Sequence, residues 1–388
     1  MKQIFSIISL ISFSVLLSSC TEVTDSELAL LPAPLPDIES SLDLNTNWSV
    51  STTASVGVNY TQLKPATAYG KVFVVGTAGI VEARDLKTGK LVWKTDTNAV
   101  IQGGVSVASG IVVVGSQEGD VITLDSESGK ELWRNVVSSE VVAPAAIAEG
   151  HVIVRTVDGK LFSMNQQTGK REWFFDRNVP ILTLRGTSAP IAARGAVVSG
   201  FDNGKVALFF LENGKPIWEK RIAQSAGRSE LERIVDMDAK PLVVDSRVYV
   251  VTYNGNLAAL ELRSGQTLWQ REMSSFQNIS SSGSRLFVTN AQDQVKALSI
   301  NGGATLWSQA ALKNRGLSAP VAAGDYVVAA DFEGYLHWMD VTDGHFVYRQ
   351  QIDSSGIVGE PVVSGQQLIV LGRGGKLVSI EFPETTYQ

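Results

Sequence analysis

The sequence predicts an all-β fold: an eight-bladed β-propeller with four-stranded antiparallel blades, its ring closed by the N-terminal strand. Three observations predict it. A phrase of the form Gly-x-x-x-aromatic recurs about every 40 residues. Each interval carries the same order of apolar run, glycine turn and alternating strand. The two chain ends hold complementary parts of one further repeat.

The chain opens with Lys2 followed by an apolar stretch from Ile4 to Leu17, too short for a mature membrane-spanning helix. Leu17-Ser18-Ser19-Cys20 then resembles the lipobox of bacterial lipoproteins, and Cys20 is the only cysteine among 388 residues. That resemblance implies a signal peptide over residues 1–19, acylation of Cys20 and anchoring on the periplasmic side. Thr21 stands where an inner-membrane retention signal would place Asp, so the implied address is the outer membrane. With Cys20 acylated, no disulfide supports the fold, and a large core makes one unnecessary. Residues 20–46 read as a lipidated tether, since Pro32, Pro34 and Pro36 disfavour helix and favour extended chain.

The repeats occupy residues 47–382. The phrase reads Gly89-Lys90-Leu91-Val92-Trp93, and it returns at Gly129 to Trp133, Gly169 to Trp173, Gly214 to Trp218 and Gly265 to Trp269. Looser copies end at Trp307 and Tyr348. Asp85, Asp125 and Asn165 each precede the phrase glycine by four residues, where their side chains can accept turn N–H groups while glycine supplies positive φ. Upstream, an apolar run such as Ile111–Val114 meets a glycine turn (Gly119) and the alternating strand Val121–Asp125. No segment sustains a 3.6-residue apolar period.

Strand hairpins start near residues 71, 111, 151, 195, 246, 284, 325 and 366, which makes eight. The last runs into the chain end without an aromatic strand, whereas Asn47-Trp48-Ser49-Val50 is an aromatic strand without a hairpin. Pairing the two closes the ring and removes the sheet edge at the seam. The phased aromatics Trp48, Trp93, Trp133, Trp173, Trp218, Trp269, Trp307 and Tyr348 are expected to dock between blades, each burying on the order of 200 Å². Trp338 lies out of phase. Residues 383–388 form a C-terminal tail.

Net charge is −6 and the 33 basic residues are dispersed, which argues against nucleic acid as a partner. The three histidines, His151, His337 and His345, have no metal-ligand spacing, so no metal is expected. Gly372-Arg373-Gly374-Gly375 follows a strand but opens no helix and reads as a hairpin turn.

The Gly-Lys-x-x-Trp repeats resemble the tryptophan-docking repeats of PQQ-like quinoprotein propellers. With the lipobox, the blade count and phrases such as Leu182-Thr183-Leu184-Arg185-Gly186 and Asp331-Phe332-Glu333-Gly334-Tyr335, the chain resembles the BamB family of the β-barrel assembly machinery more closely. That resemblance implies a non-enzymatic scaffold without cofactor. It would bind the POTRA domains of BamA, and through BamA the other assembly lipoproteins, and would assist outer-membrane protein clients. A quinone-dependent dehydrogenase is the rival reading. Its enzymes carry a Ca²⁺ cradle, a catalytic Asp and adjacent disulfide-bonded cysteines, and this chain has no cysteine pair. An unrelated sensor or adhesion propeller is the third.

Two intervals exceed the rest: Trp173 to Trp218 is 45 residues and Trp218 to Trp269 is 51. Both excesses precede the x-Pro pair that leads into the next blade, so consecutive insertions are expected on one rim. The first holds Leu182, Leu184 and Arg185, and the second holds Asp236 and Asp238 and suits a helical turn. Apolar anchors within a charged surround are interface text. Leu182 and Leu184 could instead simply open the next inner strand. By resemblance, the BamB family uses Leu182, Leu184, Arg185, Asp236 and Asp238 to contact BamA.

Overall fold

The computed structural model describes residues 31–57, 62–177, 180, 182–184, 186–224, 228–357 and 359–384. The signal segment, Cys20, Arg185 and residues 385–388 lie outside the described residues. Regular structure among the described residues is β alone, arranged as eight antiparallel sheets that follow one another around a ring. Blade 1 shows the pattern, with strands Ala66–Ala68, Lys71–Val75, Ile80–Asp85 and Leu91–Asp96 running from the axis outward. Blade 2 gains a fifth strand, because Gln62–Leu63 pairs in parallel with Ile101–Ala108.

The N-terminal strand Asn45–Ser51 is the outermost strand of blade 8, antiparallel to the C-terminal strand Lys376–Glu381. Ring closure is therefore a main-chain ladder between the two ends of the chain. Outside blade 2 the innermost strands have three residues each, as in Ala146–Ala148, because the axis leaves little room. The middle two strands of each blade are buried on both faces, which is why they read as unbroken runs such as Val72–Val75.

The recurring phrase has a physical cause. Asp125 Oδ1 accepts the Ser128 N–H at 2.7 Å and its hydroxyl at 2.6 Å, closing the turn. Gly129 follows with φ +72°. A Cβ there would lie 2.5 Å from Cε3 of Trp93, because the indole of the preceding blade packs flat against that glycine. The Trp93 N–H then donates to the Ser126 carbonyl at 3.1 Å. Trp48, Trp133, Trp173, Trp218, Trp269 and Trp307 repeat this bond to the next blade at 2.7–3.2 Å. Tyr348 packs at the last such seam as a partly buried ring. Trp338 is fully buried inside the contact between blades 7 and 8.

The chain entering the ring is also attached. Leu42 and Leu44 are buried in the core shared by blades 7 and 8, and Leu35 packs on that of blades 6 and 7. Residues 31–44 thus lie on the propeller, which ties down the part of the tether that precedes Asn45.

Each of blades 1 to 7 places its Trp-docking turn and its first hairpin on one rim, and blade 8 has the two chain ends in place of that turn. The second hairpin and the connection to the next blade lie on the other. The two long connections, between Phe175 and Ile191 and between Arg221 and Leu242, therefore share that second rim, at blades 3–4 and 4–5. It is called the insertion rim below.

Candidate functional site

The first insertion carries two half-exposed leucines, Leu182 at 41% and Leu184 at 38%. Neither belongs to a strand, since the inner strand of blade 4 begins at Ile191. The second insertion begins with one tight turn, in which Ser229 Oγ accepts the Glu232 N–H at 3.2 Å. The Glu232 carboxylate reaches back to the N–H groups of Arg228 (2.6 Å) and Ser229 (3.2 Å). This reciprocal cap is what Ser-x-x-Glu provides at the start of a helical turn. It holds out Leu231, 69% exposed.

Beyond that turn the chain dives. Ile234, Val235, Asp236, Met237, Asp238 and Ala239 are all buried. The sequence suggested Asp236 and Asp238 as part of an exposed charged surround, whereas the structure places both beneath the first insertion. Asp236 Oδ2 accepts the Leu184 N–H, and its carbonyl accepts the Tyr253 N–H at 2.8 Å. The Asp238 carboxyl fills the space that a Cβ on Gly186 would occupy, 2.4 Å away. The local text Ile-Val-Asp-Met-Asp-Ala gives the physical reason. This segment must pack against Gly200 and Ser188 of blade 4, and Met237 and Ala239 do so.

Two further residues complete the support, and sequence reasoning missed them. Arg155 is fully buried and pairs with Asp202 at 3.0 Å, while its guanidinium lies 4.7 Å from the Phe201 ring centroid. One signal was available: Arg155 ends the apolar run Val152-Ile153-Val154, where a charge is costly unless partnered. Asp202 pairs with this arginine, and Asp236 and Asp238 lie near enough to feel its charge. Burial pushes the Asp236 carboxyl up to about 7. The Leu184 N–H pulls it down, Asp202 adds to the rise, and Arg155 opposes it. Burial, then Asp236 and Asp202, raise Asp238 well above the ordinary carboxylate range. The arrangement performs no evident bond chemistry. It presents two leucines on a loop held by a hydrogen bond to the buried Asp236.

The histidines have structural partners. His151 Nδ1 lies 2.6 Å from Glu172, and His337 Nε2 lies 3.0 Å from Asp331. Asp340, Asp343 and His345 come within 4.8 Å of one another in an exposed turn. Two of those carboxylates are engaged in capping, of Thr342 N–H at 2.7 Å and His345 N–H at 3.0 Å.

A cavity of about 410 Å³ opens on the axis, lined by residues including Val107, Pro144, Pro190 and Phe276. A quinone held over Ca²⁺ needs free carboxylate and amide oxygens there. Glu360 is instead paired with Lys64 and accepts from Asn278 at 2.9 Å. Burial raises the pKa of Asp238, the other carboxyl on the lining, and so disfavours the carboxylate that Ca²⁺ would need. These residues do not fit a calcium–quinone centre.

The model of the family described as outer membrane protein assembly factor BamB matches residues 77–309 and 291–385. A Pseudomonas aeruginosa protein of that name is 45% identical over 371 residues, covering 96% of this chain and 97% of its own. The crystal structure of BamB from Moraxella catarrhalis superposes with a TM-score of 0.81 at 25% identity, over 88% of this chain and all of that one. A quinohemoprotein alcohol dehydrogenase from Comamonas testosteroni has a TM-score of 0.69 at 13% identity, over 89% of this chain and 78% of that one, and shares the fold alone. Matched by the family model over most of its length and by relatives along nearly all of it, the chain belongs to the BamB family of outer membrane protein assembly factors.

Proposed function

We propose that the protein is a non-enzymatic scaffold that binds the periplasmic POTRA domains of BamA and thereby aids folding and insertion of outer-membrane β-barrels. Cys20 would carry the lipid anchor to the outer membrane. The observation that carries this reading is the pair of half-exposed leucines, Leu182 and Leu184, on a loop bonded at Leu184 N–H to the buried Asp236, on the rim with both insertions.

Side chains of that size, exposed without a folding role, suit the centre of an interface. Leu182, Leu184 and Arg185 form the proposed contact. Asp236 and Asp238 act from below by fixing the loop that presents it. A loop fixed before binding loses little conformational entropy on docking, which favours affinity.

The test is capture from detergent-solubilised envelopes with the natively processed protein, followed by mass spectrometry. BamA should be enriched with wild type and lost with Leu184→Asp, while the mature mass should exceed the bare polypeptide by acyl chains at Cys20. Equal BamA recovery with both proteins would remove the insertion from the interface.

A further inference from the structure

A second cluster of buried charge lies in blade 7, away from the insertions. Asp331 and His337 are fully buried and Arg315 nearly so. Arg315 Nε donates to Asp331 Oδ2 at 2.8 Å, and His337 Nε2 lies 3.0 Å from the same oxygen. Arg349 Nε donates to His337 Nδ1 at 3.3 Å, so the imidazole is neutral with its proton on Nε2. Burial, which lowers the His337 pKa, agrees with that state.

Arg315 also pairs with Glu333 through Nη2, and both arginines donate to the N-terminal segment. Arg315 Nη1 donates to the Ala33 carbonyl at 3.0 Å and Arg349 Nη2 to the Pro36 carbonyl at 2.9 Å. Asn314 Nδ2 reaches the Leu31 carbonyl at 3.1 Å, and the Ala33 N–H donates to Lys313 at 2.9 Å. Further along, the Ser41 N–H donates to Val347 at 3.0 Å.

The direction of this path matters. Lys313–Arg315 lie in the connection between blades 6 and 7, on the insertion rim, whereas Asn45 pairs with Glu381 at the opposite rim. Residues 31–44 therefore cross the outside of blade 7 from one rim to the other. Without the clasp, the chain upstream of the ring would leave from the rim opposite the insertions. With it, the chain leaves from the insertion rim.

We infer that the blade-7 clasp orients the whole propeller on its anchor, turning the rim with Leu182 and Leu184 toward the lipid surface. This rests on reading Cys20 as the acylated residue. Ten residues lie between Cys20 and Leu31, a reach of at most about 40 Å. Turning the ring over would consume about 20 Å of that on blade height alone. Unclasped, the reach from Asn45 would be about 90 Å and would start from the wrong side.

The experiment uses the full-length protein with its native signal, reconstituted into liposomes whose headgroups carry an acceptor dye. A donor is attached through p-azidophenylalanine replacing either Glu230 on the insertion rim or Glu212 on the opposite rim, both exposed. Transfer should be roughly twofold or more stronger from position 230, given ~20 Å of height between the rims. In Arg349→Gln, and independently in Leu35→Asp/Pro36→Gly, which alters only the tether, that ratio should fall to about one or invert. Equal transfer from both rims in the wild type would overturn the inference, as would a wild-type ratio in both folded variants. The mature mass tests acylation separately. If Cys20 proves unmodified, the same labels are read after its thiol is coupled to a maleimide lipid, so orientation is decided either way.

Discussion

At the scale of single residues, the repeat is maintained by a glycine and an indole that must occupy adjacent space. Gly129 needs positive φ and must also lack a Cβ, since Trp93 fills the place. Trp133 makes the equivalent contact with Gly169 and donates to Gln166 at 2.8 Å. Trp133→Ala should cost roughly 3–5 kcal/mol in denaturant unfolding, through lost packing and an unfilled seam. A loss below about 1 kcal/mol would mean the seam is not part of the cooperative core.

Asp236 gives a prediction of the opposite sign. Its folded pKa of about 7 lies above the ordinary aspartate value, so the folded chain holds a proton that the unfolded chain releases. The Asp236 contribution to stability should therefore fall as pH rises from about 4 to about 7 and level off above, with Asp238 adding a fall of the same sign. Asp236→Asn removes the Asp236 share of this dependence, leaving that of Asp238, while keeping an acceptor for the Leu184 N–H. It should stabilise the fold by on the order of 2 kcal/mol at pH 8 and by little at pH 4. The check is thermal melting of both proteins across that range, and an identical shift at both ends would contradict the assignment.

At the scale of elements, legibility followed how local the cause was. The Asp–Gly turn and the docked Trp are each specified within a few residues, so the blades, their count and the split blade could be read directly. The inserted connections were legible as length, because the spacing between aromatics is otherwise near 40 residues. Their interiors were not. Asp236 and Asp238 read as surface charge because nothing local says that the chain returns beneath Leu184. The blade-7 clasp was silent for a related reason: Arg315 and Arg349 bind main-chain carbonyls, which any residue supplies. The attached segment predicts graded truncation. Removing residues 21–30 should leave the melting temperature unchanged. Removing 21–51 deletes the strand paired with Lys376–Glu381 and should lower it sharply, by scanning calorimetry. Equal melting of the two would show that closure contributes nothing.

At the scale of the whole molecule, the ring is nearly symmetric in its core and asymmetric at its rims. Seven Trp-docked seams and the Tyr348 seam supply stability, which leaves the connections on one rim free to lengthen without a folding cost. The half-exposed Leu182 and Leu184 and the projecting Leu231 belong to that rim. The most direct test of the central claim is a calorimetric titration of purified BamA POTRA domains with wild type and with Leu184→Asp, at equal salt and with melting points compared. The account predicts an unchanged melting point and binding weakened by about 1–3 kcal/mol or lost altogether. Wild-type affinity in the folded variant would show that the partner docks elsewhere on the ring.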